Sequence, residues 1–453
     1  MTFNAEKLFS KIPKDDPVLV AVSGGSDSIA LLLLANIWAQ KNGVILQAVT
    51  VDHGLRPEAA AEAAFVASIC AGLGVPHVTL AWEGMKPSFG IQEAARESRY
   101  SLMDDFAHEI GCDVILTGHT RDDQIETVLM RSQRFSQSGE GRGLSGMGRQ
   151  TWLYGGTRIF RPLLGSSRDE LRAFLSENSQ SWIEDPSNLD ESYERVRIRK
   201  HLKSDPQLAE KVHRFGKVCG RLRSSMSLAV VQFLKANVSV KPGPVFVLKR
   251  SNLEPSTNPV AAIALQTLIA VSGGQAFMVP RHRLVGLFEL IENSDLQAEE
   301  GGARRMTIGG ACVEFKKDVI IFYRESRNQT SLMLDPGEAA IWDGRMHIYN
   351  GLANPVFIEV AGRQQLREFE LLREAPYPVM PRAALRSTPM VHVQTKSGNT
   401  EPCLPLIESN SIPKGLEIRI ASPAIEHFCP EFDAPLRLWV RSLDQYTAAS
   451  LQP

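Results

Sequence analysis

The residues with the clearest potential for chemistry lie between positions 23 and 28, and they are Ser23, Gly24, Gly25, Ser26, Asp27 and Ser28. They follow a β-branched apolar run and precede a helical pattern. A glycine-rich turn from a strand into a helix presents backbone N–H groups and the positive end of the helix dipole, and both attract phosphate. No Lys-Ser/Thr pair follows the glycines, so the turn differs from the usual P-loop. The alternative that needs no ligand is a plain turn in which Asp or Ser caps the helix.

A second group of candidate residues is acidic and begins another predicted helix. Thr120 is placed to cap this helix three residues before Asp123, and His119, Asp122, Asp123 and Glu126 share its polar face. Like charges three or four residues apart on a helix repel by about 0.2–0.5 kcal/mol per pair. The helix dipole favours acids in the first turn, but it explains Glu126 less well because this residue lies one turn further in. We therefore expect a cation on this face, either Mg²⁺, an arginine from elsewhere in the chain, or a cationic substrate.

Basic residues form two further groups. Arg96 and Arg99 lie on one predicted helix, where they could clamp phosphate, face the acids, or simply pair with Glu93 or Glu97. The stretch 195–223 carries ten Lys or Arg against two acids, a local charge of +8. A dense run of one sign favours a polyanionic partner over a merely solvated surface. The first candidates in this run are Arg195, Arg197, Arg199 and Lys200.

Strand and helix patterns that would position these groups alternate over the first 135 residues. Strands are predicted at 17–22, 44–51, 77–80 and 113–117, and helices at 27–41, 57–73, 90–110 and 121–134. This alternation predicts an α/β fold with a doubly wound parallel sheet, right-handed crossovers and helices on both faces. Ligands of such sheets bind beyond the carboxyl ends of the strands. Three polar clusters follow the carboxyl ends of predicted strands, at 23–28, 52–56 and 118–126.

The remaining sequence predicts a helical middle part and a small mixed C-terminal domain. We expect domains at 1–225, 226–335 and 360–453. The second is mostly helical up to about residue 300, with strands at 307–324, and 335–365 is interpreted as a link between domains. The Gly-, Ser- and Arg-rich segment 132–150 is predicted to be an exposed, mobile loop that acts as a lid or a connector.

Bulk composition excludes several classes of protein. The chain has 453 residues, a formal net charge of −1 and 43% hydrophobic residues, so any nucleic-acid surface must be local. No stretch predicts a membrane span, and the N-terminal residues do not resemble a signal peptide. The six cysteines contain no Cys-x-x-Cys pair, which argues against a zinc ribbon, an iron–sulfur site or a dithiol centre. Scattered cysteines favour a reducing, cytoplasmic location.

Taken in order, these motifs resemble one family. "SGGSDS" resembles the signature of the PP-loop ATP pyrophosphatases, which cleave ATP between its α and β phosphates. The succession that follows resembles the tRNA(Ile)-lysidine synthetase family, through "VDHGLRPEAAAEAAFV", "EAARESRYSLM", "GHTRDDQIETVLMR", "RGLSGM", "RPLL" and "WIEDPSNLDESYERVRIR". The resemblance is specific over 18–200 and extends more loosely over most of the chain, including "REAPYPVMPRAALRSTPMVHV".

The resemblance implies ATP-dependent formation of lysidine. Enzymes of this family adenylate carbon 2 of the wobble cytosine of an isoleucine tRNA with a CAU anticodon. The side-chain amine of L-lysine then displaces AMP. The resemblance further implies that the middle and C-terminal domains contact tRNA, and it allows a homodimer.

The resemblance also assigns roles to individual residues. It implies ATP at Ser23, Gly24, Gly25, Ser26, Asp27, Ser28, Asp52 and His53, with Mg²⁺ at Asp27 and with Arg56 at the rim. It implies lysine at Asp123 and Glu126, and the reacting base near Arg96 and, less closely matched, Arg99. The catalytic set is then Asp27, Arg96, Asp123 and Glu126, and the tRNA-binding set is Arg195, Arg197, Arg199 and Lys200.

Two features depart from the family pattern, and two alternatives stay open. Val196 stands where the family has Asn between arginines, and the segment after Arg131 is longer than the usual short turn. One alternative is another PP-loop tRNA-modifying enzyme such as a thiolase, although that would use paired cysteines. The other is a catalytically silent tRNA-binding relative, against which the intact "SGGSDS" and the acidic face argue.

Overall fold

The structure is a computed structural model that describes residues 3–55, 57–138, 141–153, 155–184, 190–241, 243, 245–251, 253–293, 304–361, 381–394, 400–405 and 412–446. These residues divide into two units, Met1–Arg223 with Pro430–Phe432, and Ser224–Cys429 with Asp433–Pro453. Arg56 and parts of the motifs at 185–189 and 362–380 lie outside the described residues.

The first unit alternates strands and helices, as the sequence pattern predicts. Its strands are β1 (Val18–Ala21), β2 (Leu46–Asp52), β3 (His77–Ala81), β4 (Val114–Leu116), β5 (Gln150–Leu153) and β6 (Arg158–Phe160). Its helices are α1 (Ala5–Leu8), α2 (Ser26–Asn42), α3 (Ala59–Leu73), α4 (Ile91–Glu109), α5 (Arg121–Ser138), α6 (Arg168–Glu177) and α7 (Glu194–Ser204). Helix α8 (Pro206–Asn237) belongs to this unit up to Arg223.

The strand order of this unit explains where a ligand can bind. Its strands are neighbours in the order β5-β6-β4-β1-β2-β3. β1 pairs in parallel with β2 and β4, β2 with β3, and β4 with β6, whereas β5 is antiparallel to β6. The chain leaves β1 towards β2 and returns on its other side as β4, which creates a topological switch point. The predicted doubly wound sheet is confirmed.

Alternate residues of the central strands face opposite layers of helices. Val18 and Val20 of β1 pack with α2, α3 and α6, whereas Leu19 packs with Met103 of α4. Helix α2 is apolar on all sides, including its run of four leucines, because it packs on the sheet and against α1 and α6. Fully burying one such leucine contributes about 1.5–3 kcal/mol. This packing anchors α2 and therefore fixes the glycine-rich loop at its N-terminus.

The segment 132–150 differs from the exposed, mobile loop that its composition predicts. Its first residues continue α5, a 3₁₀ turn with buried residues follows the undescribed pair 139–140, and β5 begins at its end. Arg131 Nη1 donates to the carbonyl of Gly143 at 3.1 Å, and the side-chain amide of Gln124 bonds both backbone groups of Met147 at 2.6 Å. Side chains of α5 thus satisfy backbone groups that an exposed loop leaves to water. The described part of this segment is therefore not an exposed loop, and its role as a lid or a connector stays a prediction.

The second unit contains antiparallel sheets and helices. Strands β7 (Val238–Lys241), β8 (Val245–Lys249), β9 (Arg304–Ile308), β10 (Ala311–Phe315) and β11 (Val319–Arg324) form a sheet in the order β7-β8-β11-β10-β9. Helices α9 (Pro259–Gly273) and α10 (Val285–Glu292) share its core. The helical pattern predicted for 226–300 holds for α9 and α10 but misses β7 and β8. These two strands are short β-branched runs that a helical pattern on both sides conceals.

The C-terminal part of this unit is built from two small sheets. Their strands are β12 (Leu332–Leu334), β13 (Ala339–Trp342), β14 (Met346–Asn350), β15 (Val356–Val360), β16 (Pro389–Gln394), β17 (Thr400–Cys403) and β18 (Leu416–Ile420). The helices α11 (Arg382–Leu385), α12 (Pro423–Glu426) and α13 (Ala434–Arg441) lie in the same part of the chain, as does a short strand β19 (Phe428–Pro430) that belongs to neither small sheet. The orders are β12-β15-β16-β17 and β13-β14-β18.

The described residues of the interval 335–365, interpreted from its sequence as a link between domains, carry strands. That interval carries β13, β14 and β15, because alternating side chains such as Trp342, Ile348 and Ile358 join a common core. In the part of the chain that the structure describes, no helix combines the length and apolar character needed to cross a bilayer.

Candidate active site

A cavity of about 610 Å³ lies at the carboxyl ends of β1, β2 and β4. Its lining includes Ser23, Gly25, Ser26, Asp27 and Ser28 after β1, Asp52 and His53 at the end of β2, and Thr117, Gly118 and His119 after β4. The volume falls within the range of small-molecule sites. The structure thus brings together the polar clusters that follow three different strands, at the switch point of the sheet.

The glycine-rich loop has a conformation that requires glycine at position 24. Gly24 has a φ of +87°, and a Cβ at this position would lie 2.8 Å from Ile183 Cδ1. Ser28 Oγ donates to the Gly25 carbonyl at 3.0 Å and accepts from the Ser23 N–H at 3.2 Å. The loop leads into the first turn of α2, where the N–H groups of Ser28 and Ile29 donate to the Gly25 carbonyl at 3.1 and 3.0 Å. The N–H groups of Ser26 and Asp27, at the very start of the helix, have no carbonyl one turn earlier within it. These groups are available to an anion in the cavity.

One arginine connects the glycine-rich loop to the acidic helix. Arg168 Nε donates to Asp27 Oδ2 at 3.2 Å, Nη1 donates to Glu126 Oε1 at 2.7 Å, and Nη2 donates to Asp123 Oδ1. Its backbone N–H donates to Asp122 Oδ2 at 2.9 Å. No sequence pattern pointed to Arg168. The sequence around Arg168 contains a capping box that predicts the start of α6. This motif does not predict which residues the Arg168 side chain contacts.

Arginines also supply the remaining cations that the acidic face was expected to bind. Arg195 donates from Nε to Glu126 Oε2 at 2.6 Å and from Nη2 to Asp123 Oδ1 at 2.7 Å, and Arg199 Nε donates to Glu126 Oε1 at 2.9 Å. The other oxygen of Asp123 accepts the Thr120 N–H at 2.8 Å, which confirms the predicted cap. Of the three cations considered from sequence, arginine from elsewhere in the chain is the one the structure shows.

The surroundings of these carboxyls set their protonation. Burial raises the pKa of Asp123 and Glu126, but Arg168 and Arg195, together with hydrogen bonds from Thr120 to Asp123 and from Arg199 to Glu126, lower it below its ordinary value, so both are carboxylates at neutral pH. Burial also raises the pKa of Asp27, and Arg168 only partly offsets this. Burial lowers the pKa of His119 well below its ordinary value, helped by nearby arginines, so this imidazole is neutral.

His53 after β2 and Arg99 on α4 line the cavity. The ring of His53 stands edge-on to Trp82, and its buried Nδ1 has no hydrogen-bond partner among the described residues. A buried nitrogen without a hydrogen-bond partner beside a cavity is a candidate for a hydrogen bond to a ligand. Arg96 and Arg99 lie 5.0 and 5.1 Å from the ring centre of Tyr100. Of these two arginines, Arg99 lines the cavity and Arg96 does not, as far as the described residues define it.

The predicted tRNA-binding residues of α7 divide between two acidic partners, Glu126 and Glu191. Arg195 and Arg199 point to Glu126, whereas Arg197 donates to the Glu191 carbonyl at 2.7 Å and Lys200 pairs with the Glu191 carboxylate at 2.6 Å. Exposed basic side chains of the +8 stretch lie beyond them, at Lys203, Lys211, Arg214, Lys217 and Arg221. Binding of RNA by this stretch remains a prediction.

Comparison with known proteins identifies the family. A family model described as a PP-loop domain matches residues 1–205. A tRNA(Ile)-lysidine synthase of Mesorhizobium japonicum is 35% identical over 448 residues, which cover 95% of this chain and 93% of the relative. The chain belongs to the tRNA(Ile)-lysidine synthase family. The resemblance drawn from its motifs is confirmed, and membership of a PP-loop family implies that it uses ATP.

Further relatives agree with this assignment. Proteins named tRNA(Ile)-lysidine synthase from Rhizobium meliloti and Brucella suis are 37% and 33% identical, and the alignments cover 76% and 92% of this chain. They also cover 76% and 92% of those relatives. Among solved structures, a U34-tRNA thiolase of Methanococcus maripaludis matches with a TM-score of 0.38 at 16% identity, over 47% of this chain and 77% of that one. That similarity is too low to bear on function.

Proposed function

We propose that the chain joins L-lysine to carbon 2 of the wobble cytidine of the CAU-anticodon isoleucine tRNA, while ATP is cleaved to AMP and pyrophosphate. The observation that carries this proposal is the connection made by Arg168. This side chain forms ion pairs with Asp27, which follows the glycine-rich loop, and with Asp123 and Glu126, two buried carboxylates suited to an ammonium group. A reaction that activates a base with ATP and then adds an amine needs both kinds of group in one site.

The cavity suits a nucleoside triphosphate. The loop N–H groups and the positive end of α2 would bind phosphate, and four guanidinium groups line the same cavity, from Arg99, Arg168, Arg172 and Arg199. The described residues hold no cluster of three or more His, Cys, Asp or Glu placed for a metal. Mg²⁺ would therefore be held by Asp27 and phosphate oxygens, which is its usual arrangement in phosphate sites. There it would neutralise charge on the pyrophosphate.

The first step would be attack of the cytosine carbonyl oxygen on the α-phosphorus, with pyrophosphate leaving. The contribution of the chain is to position the reactants and to balance charge as pyrophosphate departs. In the second step the lysine amine attacks carbon 2 and AMP leaves. Asp123 and Glu126 would bind the ammonium form, and one of them would accept its proton. Their lowered pKa values keep both groups ionised, as the binding of an ammonium group requires.

Two variants separate the two steps. With an isoleucine tRNA transcript, ATP and labelled lysine, Asp27→Asn should lose AMP formation. Glu126→Gln should keep ATP-dependent adenylation and lose lysine transfer, or raise the KM for lysine at least about tenfold. Glu194→Gln is the matched control, because Glu194 is an exposed carboxylate that pairs with Arg134 on the surface. Unchanged lysine dependence in Glu126→Gln would contradict the role of the acids.

A further inference from the structure

The two carboxylates proposed to receive lysine are already occupied. Asp123 and Glu126 are 8% and 1% exposed, and neither lines the cavity, whose wall includes Arg168 and Arg199. Three guanidinium groups bond three carboxylates here, those of Asp27, Asp123 and Glu126. The charges of this cluster are therefore balanced. A lysine ammonium would be a fourth cation, and it can bind the acids only if an arginine leaves.

Arg195 is the arginine best placed to leave. Its side chain is 45% exposed, against 33% for Arg199 and 17% for Arg168. Arg168 is also bonded to Asp27 and through its backbone to Asp122. Arg195 bridges Glu126 and Asp123 with bonds of 2.6 and 2.7 Å, which is the position between both acids that an ammonium would need.

We propose that Arg195 competes with lysine for Asp123 and Glu126, and that binding of the RNA substrate removes it from them. This inference rests on the proposed function, because it concerns the regulation of the same site. Arg195 belongs to α7, at the start of the +8 stretch. Guanidinium groups bind phosphate in a bidentate manner, so an RNA backbone beside α7 offers Arg195 an alternative partner. Once Arg195 moves, the cluster carries one uncompensated negative charge. A lysine ammonium that binds there neutralises this charge.

The consequence is an order of events. Without RNA, Arg195 occupies Asp123 and Glu126, and lysine cannot bind them. With RNA bound, Arg195 has moved and both carboxylates can bind the lysine ammonium. An effect of RNA on lysine affinity is a coupling free energy, and linkage requires lysine to strengthen RNA binding by the same factor. This reciprocity can be measured on the unmodified chain.

The test is isothermal titration of L-lysine into the full chain, with and without an isoleucine tRNA transcript and without ATP. We expect the unmodified chain to bind lysine about tenfold more tightly with RNA, and to bind RNA about tenfold more tightly with lysine, within the usual range of coupling. Arg195→Gln should bind lysine without RNA about as tightly as the unmodified chain does with RNA, and RNA should add nothing. Arg134→Gln is the matched control, since Arg134 pairs with the neighbouring Glu194 at 2.7 Å and is expected to behave as the unmodified chain.

Two results would overturn the inference. One is equal lysine affinity of the unmodified chain with and without RNA. The other is an Arg195→Gln variant, shown to be folded by its thermal unfolding, that binds lysine no better without RNA than the unmodified chain does. Failure of the proposed function would be visible separately, as absence of lysidine when the unmodified chain receives RNA, ATP and lysine together.

Discussion

Replacing Arg168 with Gln should destabilise the first unit strongly. The substitution removes hydrogen bonds to Asp27, Asp123 and Glu126 from a side chain that is 17% exposed. Removing one partner of a buried ion pair costs about 3–5 kcal/mol. Arg195 and Arg199 still contact Glu126, so we expect the lower end, about 3 kcal/mol, which is somewhat more than a hundredfold in the unfolding equilibrium.

Hydrogen exchange of peptides from β1 and β4 is the suitable assay, because it reports opening of the first unit separately from the second. Arg172→Gln is the matched control. Arg172 pairs with Glu184 while both side chains are exposed, and such pairs contribute only about 0–1 kcal/mol. A double-mutant cycle with Glu126→Gln should show coupling of at least about 1 kcal/mol. If Arg168→Gln costs no more than Arg172→Gln, the claim that Arg168 holds the site together is wrong.

Two other predictions concern the loop and the neutral histidine. Gly24→Ala should lower the free energy of unfolding by about 1–2 kcal/mol because of its left-handed φ and the approach of Ile183. Gly25→Ala should cost less, because no atom lies near its Cβ and only the loss of a glycine N-cap acts there. Equal effects in urea denaturation would contradict this account of the loop. His119→Asn should flatten the pH dependence of stability: the pKa of His119 is lower in the folded chain than its ordinary 6.5, so the unfolded chain binds the proton first and stability falls as pH drops below that value. Parallel Tm profiles of the two proteins between pH 7 and pH 5 would show that His119 is not the group responsible.

The parts of the fold that the sequence predicts well are those whose signal is local. The run before Ser23 is continuous in its apolar character because β1 is buried on both faces, and the glycines after it occupy a turn into α2. Thr120 and Asp123 form a cap through neighbouring residues, so their spacing alone identifies the start of α5. The placement of three polar clusters around one cavity follows from the parallel strand order.

The contacts that define the acidic site are not local, and this is why the sequence left them open. Arg168 and Arg195 reach Glu126 from helices that begin 42 and about 70 residues further along the chain, and no periodicity encodes such a pairing. The segment 132–150 shows the same limit. Its glycines and serines are typical of an exposed loop, but Arg131 and Gln124 bind its backbone from α5.

Incorporation of labelled lysine into an isoleucine tRNA transcript with a CAU anticodon tests the central claim most directly. The account predicts labelling that requires ATP and that disappears when the wobble cytidine is changed to uridine. ATP cleaved to AMP in the presence of this tRNA without labelling would keep the ATP chemistry and contradict lysine as the nucleophile. Absence of both products, with the tRNA bound, would instead mean a catalytically silent RNA-binding protein.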